Sequence, residues 1–243
     1  GNGTAIASRM MHFLGRPEAV LMDEIKKATA DQSGLAITSY VQPGEIQVRL
    51  TIHHATAAEA QSRLDACEKE IIKKEEQYYF GTGEDVSLAS AVVHRLNQRG
   101  LTITAAESLT GGLCQATICS VPGASNVFNG GFVTYAPKLK EKLVGVPDQT
   151  IADYGVVSSQ VAAAMAEGSA SHAGADVGLG FTGVAGPDAL EGHPAGTVWL
   201  GMSFPGQATK TKLLKLPSNA SRQWIRTRAV QFGLQMVYQA LQK

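Results

Sequence analysis

Neither sign of charge prevails in this chain: 21 basic residues stand against 21 acidic ones over 243 positions. That balance argues against the basic stripe of a nucleic-acid binder and the polybasic patch of a membrane-surface protein. Cysteine is scarce, with only Cys67, Cys114 and Cys119. An odd number without metal-type spacing excludes a disulfide framework or a zinc site and fits buried thiols in a reducing cytoplasm. No apolar run is long enough to span a bilayer, and the N-terminus lacks a signal-peptide layout. The chain starts at Gly1 rather than Met, so Gly-Asn-Gly-Thr reads as a cloning scar or a cut from a longer polypeptide. What remains, 44% hydrophobic and 17% charged, is a globular composition. Its length allows one large domain, or one large and one small.

Familiar catalytic signatures are also missing. There is no Walker A sequence, no G-x-S-x-G elbow and no zinc-ligand pattern. Six scattered histidines give a Ser-His-Asp triad no support. Gly178-Leu-Gly-Phe-Thr-Gly183 does spell G-x-G-x-x-G. Its glycines fall inside a predicted strand, however, and Pro187 with more loop follows where a helix must open. The dinucleotide-binding reading is therefore rejected.

The most informative stretch is Thr104-Ala-Ala-Glu-Ser108-Leu-Thr-Gly-Gly112. Leu101 to Ala106 reads as a buried strand and Leu113 to Ile118 as the start of a helix. A serine between them is aimed at a helix N-terminus, where unpaired N–H groups and the helix dipole can hold an anion or an oxyanion. An ordinary helix cap explains the same residues more simply. If Ser108 is a nucleophile it needs a base, and a lysine serves when burial lowers its pKa. Lys138 and Lys140, beside Tyr135, are the candidates; solvated lysines and a core tyrosine are the plain alternative.

Residues 1–83 are expected to form a small α+β unit: a helix over Ala19–Ala28, paired strands over Ile37–Val41 and Ile46–Ile52 around the Pro43-Gly44 turn, then a helix opened by a Thr56/Glu59 capping box. That helix carries Ala60, Leu64, Cys67 and Ile71 on one face. No Gly-x-x-Gly clamp for RNA occurs, which favours a packing or dimerisation role. Adjacent His53 and His54 point to opposite faces of a strand and make a poor metal pair. Gln77–Gly83 reads as the boundary. Residues 84–243 alternate strands and helices, with a helix over Asp85–Gln98, strands over Phe128–Tyr135, Asp176–Thr182, Gly196–Phe204 and Thr209–Leu216, an Ala-rich helix capped by Ser158, and a last helix from Ser218 whose core stripe includes Phe232. This is a three-layer α/β/α pattern with a mixed sheet, and Ser108 and Gly183 both lie just past strand ends, where ligands collect.

The segments AAESLTGG (105–112), VPGASNVFNGGFVTYAPKLK (121–140), GVPDQTI (145–151), YGVVSSQVAAAMA (154–166), FTGVAGPD (181–188) and PAGTVWLG (194–201), with Arg222 and Arg226, resemble the C-terminal domain of the competence/damage-inducible CinA family. Residues from about 10 to 83 resemble that family's KH-like linker domain. The resemblance implies a fragment or a shortened member without the preceding pyrophosphatase domain. It implies hydrolysis of the carboxamide of nicotinamide mononucleotide, with Ser108 as nucleophile, Lys140 as general base and Tyr135 aiding proton transfer. It places Glu107, Thr110, Gly111 and Gly112 at the substrate, the last three supplying oxyanion donors. Thr182, Gly183, Ala185 and Gly186 would shape the nucleotide pocket, and Arg222 and Arg226 would meet its phosphate, a surface ion pair being the plain alternative. No metal or cofactor is expected; the partners expected are a small nucleotide and further copies of the chain, not nucleic acid or membrane. The chain departs from the family pattern at Leu109, Pro137, Ala189-Leu190 and His193, which bears on substrate choice. A non-catalytic nucleotide- or protein-binding module is the alternative function.

Overall fold

The computed structural model describes residues 4–42, 44–54 and 56–243, so Pro43 and the first three residues of the Gly-Asn-Gly-Thr start lie outside it. The chain forms two compact units that divide between Ala91 and Val92. The first holds an antiparallel sheet of β1 (Ala5–Phe13), β2 (Leu35–Gln42), β3 (Glu45–His54) and β4 (Tyr79–Thr82), in the order β2-β3-β1-β4. Helices α1 (Glu18–Ala28) and α2 (Ala57–Glu75) pack on it. Strict alternation along β3 buries Ile46, Val48, Leu50 and Ile52, and α2 meets them with Ala60, Leu64, Cys67 and Ile71 at helical spacing. Thr56 caps α2 by accepting from the Glu59 N–H at 3.2 Å. The reciprocal half of the box is replaced: the Glu59 carboxylate accepts from the Thr56 hydroxyl at 3.0 Å and pairs with His54 at 2.8 Å.

Two strands of this unit were not expected from the sequence. β1 lies between β3 and β4, although its Ala, Ser, Met and Arg residues are weak strand signals. The stretch read as a boundary carries β4, held by its pairing with β1 and by burial of Phe80.

The second unit has one five-stranded sheet, of β5 (Ile103–Glu107), β6 (Phe132–Val133), β7 (Val177–Gly183), β8 (Thr197–Ser203) and β9 (Lys210–Lys215), ordered β6-β5-β7-β8-β9. The first three run parallel and the last two antiparallel, as expected of a mixed sheet. Its helices are α4 (Leu113–Cys119), α5 (Pro137–Val144), α6 (Asp148–Tyr154), α7 (Ser159–Ala173) and α8 (Arg222–Leu241), while α3 (Leu88–Arg99) runs across the division.

β7 sorts the three layers. Gly178 and Gly180 face α7, where an added Cβ would lie 2.2 Å from Ala166 O and 2.4 Å from Ala162 O. Leu179 and Phe181 face α8, and the Phe181 ring occupies the space a side chain at Gly233 would need, 2.6 Å away. The glycines of the apparent dinucleotide motif therefore serve close packing.

Three boundaries and one buried stripe depart most from the sequence reading. The Phe128–Tyr135 strand shrinks to β6, because Gly130 O is taken by the Thr104 hydroxyl at 2.7 Å and Gln115 fills the space beside Gly131. Helix α3 begins at Leu88, where Ser87 and Ser90 exchange side-chain bonds to each other's N–H. Helix α8 begins after Ser221, whose hydroxyl accepts from Trp224 N–H at 3.1 Å. Its buried stripe passes through Gly233 and not Phe232, because Phe181 needs that gap.

Candidate active site

Strand β5 is buried along its whole length, as a central parallel strand must be, and delivers Glu107 and Ser108 to its carboxyl end. Ser108 N–H still donates to Phe181 O at 2.9 Å. The chain then turns tightly: Gly111 N–H returns to Ser108 O at 3.0 Å and Leu113 N–H to Thr110 O at 2.9 Å. Gly111 and Gly112 have φ of 55° and 101°, a conformation that side chains with a Cβ rarely adopt, which accounts for the Gly-Gly pair.

Glu107 is fully buried, and its carboxylate accepts from Cys114 N–H (2.8 Å), Gln115 N–H (3.0 Å) and the Gln115 side-chain amide (2.8 Å). The N-terminus of α4 is thus capped by the chain's own anion. Glu107, expected at the substrate, thus spends its carboxylate on the chain itself, at a helix end for which the sequence left a ligand and an ordinary cap both open. The N–H groups of Leu109, Thr110 and Gly112 are different: among the described residues they donate to nothing.

Burial separates the two candidate lysines. Lys140 sits one turn into α5, which Pro137 opens at a position where its missing N–H costs nothing. Only 1% of it is exposed, and its Nζ donates to Ser108 Oγ (3.0 Å), Thr134 O (2.8 Å) and Tyr135 O (3.3 Å). No carboxylate touches it. Burial lowers its pKa from 10.5 to about 8, with the more distant Glu191 pulling weakly the other way. At pH 7 about a tenth of such a lysine is neutral and able to take a proton. Lys138, the other candidate, is exposed.

Tyr135 does not reach the pair as expected. Its carbonyl meets Lys140 and Ser108, whereas the residue as a whole is 59% exposed and its hydroxyl accepts from Arg222 Nη2 at 2.7 Å. Arg222 also donates to Gly186 O at 2.5 Å. Arg226, expected at a phosphate, donates from Nε to Leu109 O (2.9 Å), from Nη2 to Thr110 O (3.0 Å) and from Nη1 to Gln223 (2.9 Å). Thr182 donates to Val156 O at 2.6 Å, Gly183 is crowded by the Thr197 carbonyl, and Ala185 and Gly186 are buried. These four form the end of β7 and the start of the loop after it, and the contacts they make are with the chain itself. Two side chains with no expected role complete the site. Glu191 anchors that loop by accepting from Val156 and Val157 N–H at 3.0 and 2.9 Å, and Gln115 ties Glu107 to Phe132 O. Neither lies in a pattern that marks it, since both act on backbone far away in sequence.

A serine on a tight turn, a buried lysine within hydrogen-bond reach and N–H donors without acceptors define an α/β domain of serine–lysine geometry. The CinA C-terminal domain matches residues 85–241, and the KH domain of the damage-inducible protein CinA matches residues 8–81. A competence-damage inducible protein of Limosilactobacillus reuteri is 58% identical over 238 residues, and one of Levilactobacillus brevis 45%. Each alignment covers 98% of this chain but 57% of the relative, so the chain spans little more than half their length. A CinA superfamily structure from Escherichia coli superposes with a TM-score of 0.60 at 36% identity, covering 63% of this chain and 88% of that one. A competence damage-inducible protein A from Klebsiella pneumoniae gives 0.61 at 33%, covering 64% and 95%. The chain belongs to the CinA family.

Proposed function

We propose that the second unit is an amidase that converts nicotinamide mononucleotide to nicotinic acid mononucleotide and ammonia through an acyl-enzyme. The observation that carries this reading is the 3.0 Å contact between Ser108 Oγ and a lysine with a pKa near 8. Family membership supports the choice of substrate. Neutral Lys140 takes the Ser108 proton as Oγ adds to the carboxamide carbon, and the unpartnered N–H groups of the turn receive the oxyanion. Collapse breaks the C–N bond, with Lys140 returning its proton to the leaving nitrogen. Water then attacks the ester, Lys140 accepts its proton, and the acid leaves as Ser108 regains a hydrogen.

The test is ammonia release from nicotinamide mononucleotide by wild type and by Ser108→Ala, with fold checked by circular dichroism. A loss on the order of 10³-fold or more is expected in the variant. Equal release by both would remove Ser108 from the chemistry. For the wild type, kcat/KM should rise with pH and level off above a midpoint near 8, because the deprotonated lysine is the active form.

A further inference from the structure

We infer that Arg226 is a positioning residue that builds the oxyanion site, and that it does not serve as a phosphate ligand. The inference rests on the acyl-transfer reading above. One guanidinium holds two successive carbonyls, Leu109 O at 2.9 Å and Thr110 O at 3.0 Å. In a trans peptide the N–H points opposite to the carbonyl. Arg226 therefore turns the N–H groups of Thr110 and Gly111 to the face away from itself. The Gly111 N–H identifies that face, since it reaches Ser108 O at 3.0 Å. The Thr110 N–H, one peptide earlier and oriented by the same guanidinium, is left on the Ser108 side without an acceptor.

Other features confirm that the turn needs an external clamp. Gly111 and Gly112 are the least restricted residues the turn could contain, and α4 below them is only seven residues long. Glu107 secures the far side of the turn through Cys114 and Gln115. Arg226 secures the near side, from a helix whose flanking residues Ile225 and Ala229 are fully buried. With its third donor on Gln223, all three nitrogens of the guanidinium are engaged. Lysine has one donor group in place of the planar fork and cannot hold both carbonyls in this geometry.

The test compares wild type, Arg226→Lys and Arg226→Gln in two assays, with folding checked by circular dichroism and thermal unfolding. The first is the rate at which a fluorophosphonate phosphonylates Ser108, which needs the nucleophile, its base and the oxyanion donors but no nucleotide. Both variants should be labelled about 10- to 100-fold more slowly, somewhat less than the roughly 100- to 1000-fold cost of deleting an oxyanion donor outright because the N–H is misplaced and not removed, while the pH midpoint stays near 8 because Lys140 is untouched. Unchanged labelling would overturn the inference. The second assay is turnover of nicotinamide mononucleotide and of nicotinamide riboside, which lacks the phosphate. Positioning predicts an equal fall in kcat for both with little change in KM; a raised KM confined to the mononucleotide would make Arg226 a phosphate ligand and overturn the inference. If neither compound is turned over by wild type but labelling slows in the variants, the positioning role stands and the substrate assignment fails.

Discussion

Each unit buries a base against carbonyl oxygens, and the pKa values of the two move in opposite directions. In the first unit His12 is 1% exposed, with Nε2 2.6 Å from Gly83 O and Nδ1 3.2 Å from Glu45 Oε1. Both partners are acceptors, so the two contacts favour the form with hydrogen on both ring nitrogens. Burial alone would lower its pKa, but the bonds to Glu45 and Gly83 outweigh it and the net shift is upward from 6.5. Lys140 is just as buried and also faces carbonyls, yet its pKa falls to about 8. What differs is a carboxylate in contact. Carbonyl dipoles alone do not offset the desolvation of a cation.

The same contrast extends over the whole units. Up to Ala91 the chain has nine basic and thirteen acidic residues, net −4; beyond it there are twelve basic and eight acidic, net +4. The ion pairs among the described residues all lie in the first unit, including Arg9 with Asp65 and Glu68 at 2.6 Å. In the proposed amidase the proton acceptor is the buried cation that has no carboxylate in contact.

The comparison breaks most completely at Lys140. Lys140→Met should lower amide hydrolysis by about 10³-fold or more, read as ammonia release. The same variant tests the sign of the shift. Because the folded pKa is lowered, unfolded chains bind more protons between pH 8 and 10.5, so wild type should gain stability over that interval. Relative to Lys140→Met the gain should reach up to about 3 kcal/mol in urea unfolding. A flat difference would mean that Lys140 is not desolvated.

Glu45→Gln sharpens the other side. It keeps an acceptor but removes the charge beside His12. A raised histidine pKa stabilises fully below 6.5 and loses its effect as pH rises through the folded value. Unfolding at pH 5.5 should therefore cost about 1 to 2 kcal/mol less than in wild type, with little difference at pH 8.5. An equal penalty at both values would show that His12 is neutral. The smallest effect is expected for Glu191→Gln, which removes the carboxylate that weakly raises Lys140 while preserving an acceptor for one of the Val156 and Val157 N–H groups. The pH–rate midpoint should drop below 8 by less than about one unit.

Much of the fold was legible in the sequence because its signals are local. Alternation in Ile46–Ile52, the i, i+4 spacing in Ala60–Ile71, Ser158 as a cap and Pro137 at a helix start each depend on neighbours along the chain, and each element formed as read. β1 was missed because its placement beside β3 overrides weak propensity, and Phe232 was misplaced because the gap at Gly233 is set by Phe181, 52 residues away in sequence. In the site, Ser108 stood out as a serine between a strand and a helix. The choice of Lys140 over Lys138 rested on resemblance, because burial is a sum over elements that a sequence does not place.

The sequence by itself therefore determined where strands and helices run, that their alternation makes a mixed α/β sheet, and that Ser108 ends a buried strand, since periodicity, caps and glycine turns act over a few residues. Only the tertiary structure decided that Glu107 caps α4, that Arg226 grips the Ser108 turn, that Tyr135 presents its carbonyl to Lys140, and that Lys140 loses its proton near pH 8. Those outcomes depend on where distant carbonyls and carboxylates come to lie and on how much water the fold excludes, and both are properties of the packed chain.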